Sequence, residues 1–169
     1  RKNITILHCN TAYPTPFSDV NLNVIKKIKK QLNLKVGYSD HTLGSEVSIA
    51  AVALGAEVIE KHFTLNKSWY GPDQKSSLNE IELKNMITGI RNIEKAMGTS
   101  VKKITKSERK NISFARKSIV AKKNILKGEK FSKNNLTVKR PGNGISPMLW
   151  MKFINKKSKK NFKTDDQIN

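Results

Sequence analysis

The stretch LKVGYSDHTLGSEVSIAAVALGAEVIEKHF, residues 34–63, decides the fold. It reads as a short apolar strand from Leu34 to Ser39, a helix from about Ser45 to Leu54 closed by Gly55, and a second strand from Glu57 to Phe63. Two strands joined by a helix read as a parallel pair, since parallel strands need a crossover connection of this length. The same cycle extends in both directions. Upstream, NITILHC (residues 3–9) is a β-branched run that ends in the Pro-containing loop YPTPFSD. Between Asn21 and Leu32, Leu22, Val24, Ile25, Ile28 and Leu32 form an apolar stripe opposite Lys26, Lys27, Lys29 and Lys30, the pattern of an amphipathic helix. Downstream, Asn79 and Glu82 make a capping-box start. Leu83, Met86, Ile87, Ile90, Ile93 and Met97 follow as a stripe, and Gly98 suits the position just past a helix. Three β-then-α units imply an α/β fold with a parallel sheet and right-handed crossovers, either doubly wound or a barrel. A complete barrel takes about 250 residues, so the three units would be under half of one. The missing part is expected upstream. The chain also opens on Arg1 rather than Met, and it reads as the C-terminal part of a longer protein.

From Ser118 the pattern changes to short β-like pieces, SIVAK and LTVKRPGNG, punctuated by Gly128, Pro141, Gly142 and Gly144. The charge changes with it. Residues 1–98 carry 13 Lys and Arg against 9 Asp and Glu; residues 99–169 carry 20 against 4, most of the chain's net +20. Residues 99–111, TSVKKITKSERKN, are charged and without period, and read as a solvated linker. The expected organisation is therefore a sheet-and-helix domain over 1–98, a linker over 99–111 and a small β-rich domain over 112–169. Cys9 is the only cysteine, so internal disulfides and cysteine-rich metal sites are excluded. No run approaches 18 apolar residues and no secretion signal opens the chain, which reads as cytoplasmic, with no membrane partner. The basic second region could serve a polyanion. It lacks a nucleic-acid recognition motif and interleaved aromatics, so a solvated lysine-rich surface is the favoured reading and a nucleic-acid or polyanion-binding module the alternative.

In parallel α/β sheets ligands bind where the C-terminal strand ends converge. Those ends carry His8, Cys9, Asn10, Thr11 and Tyr13 after the first strand, Ser39, Asp40, His41 and Thr42 after the second, and Glu60, Lys61, His62 and Thr64 after the third. His41 and His62 fall on consecutive strands, about 4.8 Å apart in a parallel sheet. They could ligate one ion or could be ordinary hydrogen-bonded strand-end histidines; spacing alone leaves both open. His8 and Cys9 read as structural neighbours.

Five blocks in this order, HCNTAYPTP (8–16), VGYSDHTLG (36–44), ALGAEVIEKHFTL (53–65), GPD (71–73) and VKRPGNGISP (138–147), resemble the sialic acid synthase family. The resemblance spans almost the whole chain. It implies the last three units of a (β/α)8 TIM barrel followed by a SAF domain, also called antifreeze-like, of β-clip type. It implies condensation of phosphoenolpyruvate with an N-acetylated amino sugar, such as N-acetylmannosamine, to a sialic or other nonulosonic acid, with loss of phosphate. It implies a divalent metal on His41 and His62, Mn2+ first, with Mg2+ or Co2+ as alternatives. By the same resemblance Ser39 helps hold phosphoenolpyruvate, Asp73 binds sugar hydroxyls and Tyr13 contacts the sugar. Thr11 stands where some members carry an Asn that contacts phosphoenolpyruvate, and here Asn10 precedes it. Arg140 matches an arginine that reaches across a domain-swapped homodimer to the N-acetyl group of sugar in the partner's barrel. Further anion-binding groups and a catalytic Glu come from earlier barrel strands, so residues 1–169 by themselves are expected to be inactive.

Overall fold

The computed structural model describes residues 3–169; Arg1 and Lys2, which the sequence reading assigns to the first domain, lie outside the described residues. The chain divides into two compact units, up to Ser100 and Val101–Asn169.

In the first unit, β1 (Thr5–Cys9), β2 (Lys35–Asp40) and β3 (Ile59–Lys61) form a parallel sheet in the order β1-β2-β3. The register pairs His8 with Tyr38, Cys9 with Ser39, Ser39 with Glu60 and Asp40 with Lys61. Strand alternation then separates two faces. Val36 and Tyr38 turn toward α1 (Asn23–Leu32) and α2 (Glu46–Ala53), packing with Val20, Ile25, Val47, Ala51 and Ala56. Ile59 lies on this side too, where Leu78, Met86 and Ile90 bring in α3 (Glu80–Met97). Helix α3 begins at the capping box expected from its sequence: Asn79 Oδ1 accepts from the Glu82 amide and Glu82 Oε2 accepts from the Asn79 amide, each at 2.9 Å. It ends at Gly98, at φ 52°, a backbone that an L side chain resists.

All three helices pack on one face. The other carries Leu7, Cys9, Gly37, Ser39, Val58 and Glu60, with Cys9, Val58 and Glu60 exposed. Gly37 is needed there, since a Cβ would come within 2.5 Å of the Val58 carbonyl oxygen. The ladder of β3 is shorter than the strand expected over 57–63. Backbone bonds from Glu57 N to Val36 O and from Tyr38 N to Val58 O nevertheless carry the pairing toward its start.

The second unit is built on an antiparallel pair, β4 (Ser118–Ala121) and β5 (Leu136–Lys139), knit further by single bridges from Val120 to Gln167, Ile125 to Phe162 and Lys130 to Lys157. Its core is Ile119, Ala121, Ile125, Phe131, Leu136, Phe162 and Ile168. Three short helices were not anticipated. In the segment read as linker, TKSE (105–108) closes a capping box and starts α4 (Lys106–Arg109), while α5 (Ile112–Ala115) follows it. The charge of this segment hid the cap, and α4 is solvated on every side. The third, α6 (Trp150–Phe153), follows a 3-10 turn whose Ser146 hydroxyl accepts from the Met148 amide. Among the described residues no helix is long and apolar enough to cross a membrane.

Candidate active site

The polar side chains after β1, β2 and β3 meet at one end of the sheet. Because Asp40 pairs with Lys61, the next residues, His41 and His62, leave adjacent strands side by side. Their ring centroids lie 5.3 Å apart at 88°. The loop after β1 returns over them: Thr15 N donates to His41 O at 2.8 Å, and the Tyr13 ring sits 5.1 Å from His41 and 4.4 Å from His62. The loop after β3 leaves from His62 and comes back beside it. Leu78 N donates to His62 O and Thr64 N to Leu78 O, closing residues 65–77 into a return that carries Asp73 to His62.

Each imidazole is oriented through Nδ1. Asn10 O lies 2.7 Å from His41 Nδ1, and because a carbonyl can only accept, that nitrogen carries the proton. Asp73 Oδ2 lies 3.5 Å from His62 Nδ1. In the neutral ring this tautomer leaves the lone pair on Nε2 of His41, and the Asp73 carboxylate favours the same tautomer of a neutral His62. A carbonyl or carboxylate behind the imidazole is the usual support of a metal-ligating histidine. Two imidazoles bound to one ion at about 2.1 Å from each nitrogen have centroids no more than roughly 6.5 Å apart, and 5.3 Å falls inside that span. The residues present therefore fit a divalent ion. Among the described residues no group of three or more His, Cys, Asp or Glu is placed to hold one, so this chain would offer such an ion the two imidazoles of His41 and His62.

The Tyr13 hydroxyl lies 3.5 Å from Ser77 Oγ, and Ser77 in turn donates to Asp73 O at 2.8 Å. Burial, with the charges of Asp73 and Asp40, raises the Tyr13 phenol above its ordinary value, and the Ser77 bond offsets part of this. At neutral pH the hydroxyl is protonated and can donate. Tyr13, His41, His62 and Asp73 thus form one cluster. Ser39 lies on the same sheet face two residues before His41, where its hydroxyl donates to Glu60 Oε1 at 2.6 Å. Asn10 acts through its backbone carbonyl, while its side chain closes a local turn by accepting from the Ala12 amide at 2.8 Å. Thr11 is exposed on that turn. His8 turns to the helix side, where Nε2 donates to Val20 O at 2.8 Å. Arg140 belongs to the second unit, and its Nε donates to Ala115 O at 3.2 Å.

Sequence reasoning placed Asp40, Thr42 and Lys61 at the strand ends without giving them a role and passed over Ser48; the four form a buried polar network directly behind the two histidines. The available signal was two opposite charges at paired strand positions on the face that otherwise holds Val36, Tyr38 and Ile59.

The α/β unit and the β-rich unit are similar in fold to sialic acid synthase-like structures. Residues 1–102 match the NeuB family and residues 116–169 match the SAF domain. The chain belongs to the NeuB family. It is 58% identical to an N,N'-diacetyllegionaminic acid synthase of Campylobacter jejuni over 99% of this chain and 50% of that protein. It is 41% identical to a pseudaminic acid synthase of the same species over 98% of this chain and 48% of that one. A solved spore coat polysaccharide biosynthesis protein of Bacillus subtilis matches 99% of this chain and 52% of its own, at 35% identity and a TM-score of 0.54. The chain spans about half the length of the curated relatives it matches.

Proposed function

We propose that this chain supplies three βα units of a (β/α)8 barrel and the SAF domain of a nonulosonic acid synthase. The enzyme condenses phosphoenolpyruvate with an N-acetylated amino sugar. A bond forms between C3 of phosphoenolpyruvate and the aldehyde carbon of the open-chain sugar, water adds at C2, and phosphate departs. The observation that carries this reading is the convergence of His41, His62, Tyr13 and Asp73 at adjacent strand ends. The sheet face without a helix, which in a closed barrel would look inward, supports the barrel.

His41 and His62 would hold a divalent ion, Mn2+ first and Mg2+ or Co2+ as alternatives, which would supply Lewis-acid stabilisation of the aldehyde oxygen. The chain's own groups do the rest. Asn10 O and Asp73 fix the imidazole orientation, and Tyr13 keeps a protonated hydroxyl beside the sugar. Asp73 accepts from sugar hydroxyls. Ser39 trades its bond to Glu60 for one to phosphoenolpyruvate, with Asn10 and Thr11 at the rim. Arg140 reaches the N-acetyl group in the barrel of a second subunit. A reaction that consumes phosphoenolpyruvate belongs in the cytoplasm.

The relative at 58% identity favours a diacetylated legionaminic-type precursor over the pseudaminic type. The test supplies the full-length protein with phosphoenolpyruvate and N-acetylmannosamine, the legionaminic-type or the pseudaminic-type precursor in turn. Phosphate release with a nonulosonic acid product, fastest on the legionaminic-type precursor, is expected. No product from any of the three sinks the reading.

A further inference from the structure

Asp40 and Lys61 form an ion pair that no step above uses. Asp40 Oδ2 lies 3.0 Å from Lys61 Nζ, and the two side chains are 0% and 3% exposed. Both members have further partners. Asp40 Oδ1 accepts from the Thr42 amide at 2.9 Å and the Thr42 hydroxyl at 2.8 Å, Oδ2 accepts from Ser48 Oγ of α2 at 2.5 Å, and Lys61 Nζ donates to Thr42 O at 2.5 Å.

A buried ion pair is weak support for stability, because desolvation offsets most of its attraction and an apolar pair of similar volume often serves as well. Its placement says more. Asp40 immediately precedes His41, and Lys61 immediately precedes His62, at paired positions of adjacent strands. Alternation sends both charges to the helix side and both imidazoles onward to the site. The charges therefore tie the two strand ends together one residue behind the histidines, Thr42 ties the residue just after His41 into the same knot, and Ser48 anchors the knot to α2. Sites of this kind need their groups held to within about 0.5 Å, and apolar packing behind two loop-edge residues would leave both free to shift.

We propose that the Asp40–Lys61 pair, with Thr42 and Ser48, is a positioning clamp that holds His41 and His62 at the spacing a shared divalent ion requires. The inference rests on the metal reading above. Its test measures Mn2+ affinity of the full-length protein by calorimetry, beside the thermal midpoint and turnover. The double variant Asp40→Asn/Lys61→Met removes both charges at similar volume and leaves no lone buried ion. It is expected to stay folded yet bind Mn2+ about 10- to 100-fold more weakly, the range seen when groups supporting metal ligands are lost. A core variant such as Ile90→Ala, with an equal or larger thermal loss, should keep wild-type Mn2+ affinity. If the double variant does not fold, Thr42→Val and Ser48→Ala each loosen the clamp by one bond and should show a smaller loss in the same direction. Unchanged Mn2+ affinity in the clamp variants, or a loss matched by Ile90→Ala, overturns the clamp. If wild type shows no Mn2+ binding that His41→Ala removes, the metal reading falls and the clamp with it; wild-type binding with unaltered clamp variants defeats the clamp alone.

Discussion

His41 and His62 differ in what stands behind them, yet the loss of either ring is expected to have the same effect. His41 is held by a neutral backbone carbonyl at 2.7 Å, His62 by a carboxylate at 3.5 Å. Removing either imidazole takes from the proposed ion one of the two ligands that this chain offers it. In the full-length protein His41→Ala and His62→Ala are each expected to abolish turnover with the thermal midpoint nearly unchanged, because both rings sit at a strand end, outside the apolar core. Wild-type turnover by either variant after thorough chelation would remove the metal from the mechanism.

At the scale of elements, α3 shows how local sequence and tertiary packing divide the work. Its start is local: Asn79 and Glu82 satisfy each other's amides, so the helix begins where the capping box says. The Lys67 ammonium, bonded to Glu82 at 2.6 Å, and the Asn79 amide hold the Glu82 carboxyl below the usual carboxylate range. A carboxyl depressed in the folded state contributes stability above its unfolded value, and that contribution is lost as pH falls through the folded value. Asn79→Ala should cost about 1 kcal/mol, read from denaturant unfolding of the full-length protein at pH 7. Glu82→Gln should lower stability at pH 7, and its deficit against wild type should shrink as pH falls below the carboxylate range. A deficit that stays constant down to pH 3 would mean that the carboxylate charge plays no part at this cap.

At the scale of the whole molecule, Arg140 belongs to the second unit and the imidazole cluster to the first. If the proposed swapped dimer forms, Arg140→Ala should weaken use of the amino sugar and leave phosphoenolpyruvate nearly unaffected. Losing a hydrogen bond from a charged donor costs about 1.5 to 3 kcal/mol, or roughly 10- to 150-fold in kcat/KM. Mixing Arg140→Ala chains with His41→Ala chains should restore part of the activity, since one barrel in each mixed dimer keeps its histidines and receives an intact Arg140. Mixed dimers as inactive as their parents would show that the arginine does not act across subunits.

The elements of the first unit were legible because each is governed by near neighbours in sequence: the lysine and isoleucine faces of α1, the cap of α3, and the β-branched run of β1. The strand-end histidines were legible for the same reason, since alternation and strand order need no tertiary contact. The short helix α4 was missed although its cap was in plain view, because in a run of charges the local signal competes with a composition typical of loops. Only the tertiary structure decided the rest. That Asn10 serves His41 by its carbonyl, that Asp73 returns to His62 across a loop, and that Asp40 and Lys61 lock together behind the site are contacts between residues 11 to 31 positions apart, set by strand register and chain return. Periodicity carries no record of such distances.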